Sequence, residues 1–178
     1  MDCCDPCRFI YADVDATALP TRLTAFGLRY LALLLPPDRL AVWDGILRTR
    51  PAEGVWSALE YACHVRDVFL VLRDRLYIAL VEDKPVFPPM YRDQRVTLAR
   101  YNAQDPEEVA GQLATAARLI AQAFDALNPA QLQRLCVYPF PAPIERPLLW
   151  VGQHAVHEGE HHLRDIQEGL ASVRATAG

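Results

Sequence analysis

The chain has 178 residues, 52% hydrophobic and 22% charged, with a net charge of −4. That is the composition of one globular domain, long enough to bury about 70% of its unfolded-chain surface without disulfide staples. The negative balance and the lack of a Lys/Arg stripe argue against nucleic acid as a partner. The longest apolar run, Leu31 to Leu35, is far short of the ~20 residues of a membrane span.

Residues 1–14 read as an arm rather than part of a core. Acids and cysteines stand where a signal peptide needs a basic start and an apolar run, so a cytoplasmic protein is expected. Three of the five cysteines fall within Cys3 to Cys7, an odd and clustered count that points to a reducing compartment rather than a disulfide framework. Cys4-Asp5-Pro6-Cys7 has the CxxC spacing of a zinc half-site or a redox pair. No second CxxC completes a four-cysteine site, which makes a flexible, reduced arm the plainer reading.

Residues 15–174 are expected to form the folded body, with helices between the prolines that interrupt them. The first helix should run from about Asp15 to Leu35, with Leu19, Leu23, Phe26, Tyr30 and Leu33-Leu34 at helical spacing. A short helix around Asp38 to Leu47 follows. The second long helix opens on Ser57-Ala58-Leu59-Glu60, a capping-box pattern, and should reach about Glu82. The third runs from about Asp105, with Pro106 in its first turn, to Leu127. Val137 to Ile144 is too rich in proline for a central strand and reads as an ordered crossover. The fourth helix begins after Pro147 and continues to about Val173. Four amphipathic helices and no convincing strand predict an all-α fold, a four-helix bundle.

Four of the five histidines lie between His154 and His162, and the fifth, His64, is in the middle of the second helix. A cluster this dense points to metal ligation, since imidazole and carboxylate suit zinc, nickel and related ions. On the fourth helix, at ~100° per residue, the apolar stripe is Leu148, Val151, Ala155, Leu163, Ile166 and Leu170. Glu158 and His162 flank that stripe and can reach the interior. His161 lies further out and His157 nearly opposite, so these two are expected at the surface and form the alternate ligand pair. His64 borders the stripe of the second helix and also points inward. Alone it would read as a core histidine; with the second cluster it reads as the third ligand. Three protein ligands leave open positions, as a catalytic ion requires. Asp67, Asp165 and Glu60 are candidates to orient the imidazoles. Cys63 adjoins His64, but neighbours on a helix point ~100° apart, which argues against a Cys–His nucleophile pair.

The stretch Trp56 to Val68 resembles the second-helix signature of DinB-like four-helix metalloproteins, whose histidine is a ligand. Glu158 to Ile166 resembles their fourth-helix signature, and the likeness extends from about Ala16 to Ala171. The usual triad of that family is three histidines. Glu158 at the middle position is similar to the mycothiol-dependent maleylpyruvate isomerase branch, which uses two histidines and a glutamate, although the extra C-terminal domain of that branch is not expected here. The resemblance implies a metal-dependent enzyme in which an ion, usually zinc, activates a low-molecular-weight thiol such as mycothiol or bacillithiol. The partners would be that thiol and a small electrophile, and an exposed helix pair could support a homodimer. The alternative is a metal-binding stress or interaction protein without turnover. A third reading is a structural bundle with incidental histidines.

Overall fold

The computed structural model describes residues 2–37, 42–139 and 142–177. Two short strands, β1 (Cys3–Cys4) and β2 (Phe9–Ile10), pair antiparallel as a small N-terminal hairpin. Two 3₁₀ turns, at Tyr11–Asp13 and Ala16–Ala18, lead into α1 (Leu19–Leu34), with Pro20 in its first turn. Leu19, Leu23, Phe26, Tyr30 and Leu34 are its buried face, the stripe that the spacing predicts. Of the expected short helix, residues 38–41 lie outside the described residues; α2 (Trp43–Arg48) covers the remainder.

The capping box at Ser57 forms as its pattern requires. The Ser57 hydroxyl accepts from the Glu60 amide, and the Glu60 carboxylate accepts from the Ser57 amide at 2.8 Å. From it runs α3 (Ala58–Val81), buried on nearly every side over its first three turns. The outer side is closed by α2, by α4 (Arg92–Leu98) and by a 3₁₀ turn at Tyr101–Ala103. The sequence shows no periodicity for so short a helix as α4, and none is predicted there. α5 (Pro106–Asp125) starts on Asp105, whose carboxylate accepts from the amides of Glu107 and Glu108.

After α6 (Pro129–Leu132), the predicted crossover proves to be a hairpin. β3 (Leu135–Tyr138) pairs antiparallel with β4 (Ile144–Pro147), so the expectation of no strand is wrong here and at the N-terminus. The prolines permit it because they avoid the ladder: Pro139 and Pro143 lie beyond the paired residues and Pro147 ends it. Phe140 and Pro141 lie outside the described residues. Val137 also exchanges backbone bonds with Pro85 and Phe87, tying the hairpin to the segment after α3. Last comes α7 (Leu148–Ala177).

The long helices α1, α3, α5 and α7 form a four-helix bundle. Around it the order is α1, α5, α3, α7, so α1 lies diagonal to α3, and α5 to α7. The ring places α7 beside both α1 and α3. On the α1 side the approach is very close: a methyl group at Gly159 would lie 2.5 Å from the Phe26 ring. The Tyr30 hydroxyl donates to the Gly159 carbonyl at 3.0 Å. Among the described residues, no helix is long and apolar enough to cross a membrane.

Candidate metal centre

Where α3 faces α7, His64 meets the pair Glu158 and His162. Residues four apart on a helix project together, so Glu158 and His162 converge from one side while His64 closes from the other. Nε2 of His64 and Nε2 of His162 each lie 3.5 Å from Oε2 of Glu158. The three ligand atoms all fall within 4.8 Å of one another. Two donors bound at ~2.1 Å to one tetrahedral ion stand ~3.4 Å apart, so the observed spacing suits a shared divalent ion. His64 and His162 are 3% and 7% exposed, and Trp56 and Tyr61 pack against their rings. The donor set and its spacing therefore fit a metal.

The expected second layer is present on one side only. Asp165 takes Nδ1 of His162 at 2.7 Å, which orients the ring with Nε2 toward Glu158. Asp67 does not orient His64. It accepts from the Tyr101 hydroxyl at 2.6 Å and from Arg66 at 2.8 Å, and pins the 3₁₀ turn over α3. Glu60 is likewise elsewhere, held by its capping box and by Arg50. Nδ1 of His64 is buried with no hydrogen-bond partner.

The electrostatics follow the geometry. Burial would raise the Glu158 carboxyl, but the imidazoles of His157, His162 and His64 more than offset it and hold the group well below its usual range. Burial works against a charged His162 as well, yet the Asp165 and Glu158 carboxylates push it up to about 9. His64 is lowered, mainly by burial, with Glu158 opposing.

His157 departs from expectation. It is 8% exposed, not at the surface, because the N-terminal arm folds back over the outer side of α7 and sets Phe9 and Tyr11 against its ring. His161 is partly buried beside it, 3.6 Å from Cys4. The alternate pair therefore forms no ligand group with His64 among the described residues. The arm is ordered rather than loose.

His154 is the residue that sequence reasoning passed over. It stands four residues before Glu158, as His162 stands four after, and that spacing was the available signal. Its ring stacks on Trp150 with centroids 4.9 Å apart, and the Tyr11 hydroxyl lies 3.0 Å from Nδ1. Burial drives it down to about 4, so it is neutral near pH 7. With His64 and Glu158 it lines a cavity of about 240 Å³. Val68 and Leu72 give that cavity an apolar side, and Arg75, packed over the Tyr138 ring, is a buried cation in its wall.

Comparison with solved structures returns the same architecture. YfiT from Bacillus subtilis, described as "a probable metal-dependent hydrolase with an unusual four-helix bundle topology", superposes with a TM-score of 0.74 at 18% identity. The match covers 86% of this chain and 84% of that one. A mycothiol-dependent maleylpyruvate isomerase gives a TM-score of 0.68 at 14% identity over 89% of this chain, which spans only 63% of the isomerase. A search of the curated proteins finds no match. The family model of the DinB superfamily matches residues 41–166, which include His64, Glu158, His162 and Asp165. With that match over most of its length and a bundle of the same topology, the chain belongs to the DinB superfamily.

Proposed function

We propose that the chain binds one divalent ion, zinc or nickel, on His64, Glu158 and His162, and conjugates a low-molecular-weight thiol to a small electrophile in the adjoining cavity. The observation that carries this reading is the convergence of three donor atoms, at ligand spacing, on the edge of a 240 Å³ cavity. The similarity to a mycothiol-dependent isomerase supports the choice of thiol chemistry.

An ion held there would lower the pKa of a thiol that reaches it, so that the nucleophilic thiolate forms at neutral pH. The protein's part is arrangement. Asp165 fixes the His162 ring, and the near-complete burial of both imidazoles keeps water from competing. Val68 and Leu72 present an apolar surface to the electrophile, while Arg75 offers its charge to an anionic group on either reactant.

The test uses cobalt-substituted protein with Cys4→Ser/Cys7→Ser, which removes the thiols grouped with His157 and His161. Addition of mycothiol or bacillithiol is expected to produce a sulfur-to-metal charge-transfer band. Conjugation to a model alkylating electrophile should exceed the rate of free thiol. His64→Ala should abolish both. If no thiol changes the spectrum and no conjugation exceeds background, the transferase reading falls and metal binding without turnover replaces it.

A further inference from the structure

The CxxC of the arm lies against two histidines of α7. In the β1–β2 hairpin, Cys4 and Cys7 flank a tight turn closed by the Arg8 amide donating to the Cys4 carbonyl at 2.6 Å. Arg164 of α7 donates to the Pro6 carbonyl and Arg146 of β4 binds Asp2 at 2.7 Å, so the arm is held against α7 and the second hairpin. Opposite it stand His157 and His161, one helical turn apart with ring centroids 5.2 Å from each other. The four donor atoms of Cys4, Cys7, His157 and His161 all lie within 4.8 Å of one another. Sγ of Cys4 is 3.6 Å from Nδ1 of His161. For a sulfur at ~2.3 Å and a nitrogen at ~2.0 Å from one tetrahedral zinc, the S···N edge is ~3.5 Å.

A second observation is independent of the cysteines. Both ring nitrogens of His157 are buried without a hydrogen-bond partner, the Glu158 oxygen 3.5 Å from Nδ1 lying outside hydrogen-bond geometry. A buried imidazole with neither nitrogen bonded costs free energy unless something else binds it. Two thiolates and two imidazoles, with CxxC and HxxxH spacings, make a donor set typical of closed structural zinc sites.

We infer that Cys4, Cys7, His157 and His161 form a second metal site, a closed Cys₂His₂ zinc centre that clamps the N-terminal arm onto the outer face of α7. Binding takes up one Zn²⁺ and releases the two thiol protons to solvent. The clamp is separate from the cavity and holds no open position for substrate. Its role is to fix the arm onto α7 beside the His64 centre, His157 lying 3.5 Å from the Glu158 carboxylate.

Zinc titration of the reduced protein, followed by gel filtration and metal analysis, is expected to give two equivalents per chain. Cys4→Ser/Cys7→Ser should keep one, and His64→Ala/His162→Ala should also keep one. X-ray absorption of the latter variant should show two sulfur neighbours at about 2.3 Å. Alkylation mapping on wild-type protein adds a readout that needs no variant. Cys4 and Cys7 should be protected by zinc and become reactive on chelation, while exposed Cys3 reacts in both states. If the reduced wild-type protein retains one equivalent with no sulfur neighbour, or Cys4 and Cys7 alkylate as fast as Cys3 in its presence, the clamp does not exist. One equivalent with two sulfur neighbours would uphold the clamp and overturn the His64 centre instead.

Discussion

Four imidazoles approach the two oxygens of Glu158: His64 and His162 on one, His154 and His157 on the other, at 3.5–3.7 Å. What distinguishes the carboxylates around this centre is which groups they accept from. Asp165 orients His162, a proposed ligand, so Asp165→Ala should weaken zinc binding at the His64 centre by about ten- to a hundredfold. Asp67 does not, so Asp67→Ala should leave that affinity unchanged. It should instead cost about 1–3 kcal/mol of folding stability, because Tyr101 and Arg66 lose a buried acceptor. Competition with a chromogenic chelator, in the Cys4→Ser/Cys7→Ser background, and urea unfolding separate the two outcomes. A fall in affinity for Asp67→Ala would reinstate it as an orienting residue. His64, Glu158 and His162 were legible in the sequence because the helical wheel relates each to an apolar stripe on its own helix. His157 was not, because the wheel cannot show that a distant segment returns to cover the polar side.

At the level of the element, α7 is positioned by its glycines. Alanine is normally worth about 1 kcal/mol over glycine inside a helix. At Gly159 the added methyl would meet the Phe26 ring at 2.5 Å, and overpacking of this kind costs about 1–3 kcal/mol. Gly159→Ala should therefore lower the melting temperature and, by moving the adjacent Glu158, weaken metal binding. At Gly169 the nearest atom is Pro51 Cγ at 3.5 Å, an ordinary contact, and alanine there should be neutral or stabilising. Opposite signs in paired thermal melts are the expected result; equal signs would mean that the α1–α7 approach does not set the position of α7. The long helices were readable because each carries its own stripe, and two of them clear start signals, the Ser57 box and Pro106. The β3–β4 hairpin was hidden by its prolines, whose count suggested a loop although their positions spare the ladder.

On the scale of the whole molecule, the order α1, α5, α3, α7 could not be read from amphipathic stripes, since a stripe says that a helix packs and not against which neighbour. That order makes α3 and α7 adjacent although most of the chain lies between His64 and Glu158. A ligand that binds only the folded state stabilises it by mass action, so chelation should lower the urea midpoint, and added zinc should raise it in a concentration-dependent way. A midpoint indifferent to zinc would argue against both centres. The size of the effect has a polymer-physics side. An ion bridging positions 64 and 158 closes a loop of about 100 residues, for which a covalent tie is worth about 4.7 kcal/mol of denatured-state entropy. The clamp between Cys4 and His161 spans a separation of 157 residues and would join the N-terminal hairpin to α7. Loop entropy grows only with the logarithm of length, so this longer closure adds less than 1 kcal/mol to that figure. Ions at both places would turn a linear polymer into one closed by two long loops, and any residual affinity for the unfolded chain would leave its coil contracted.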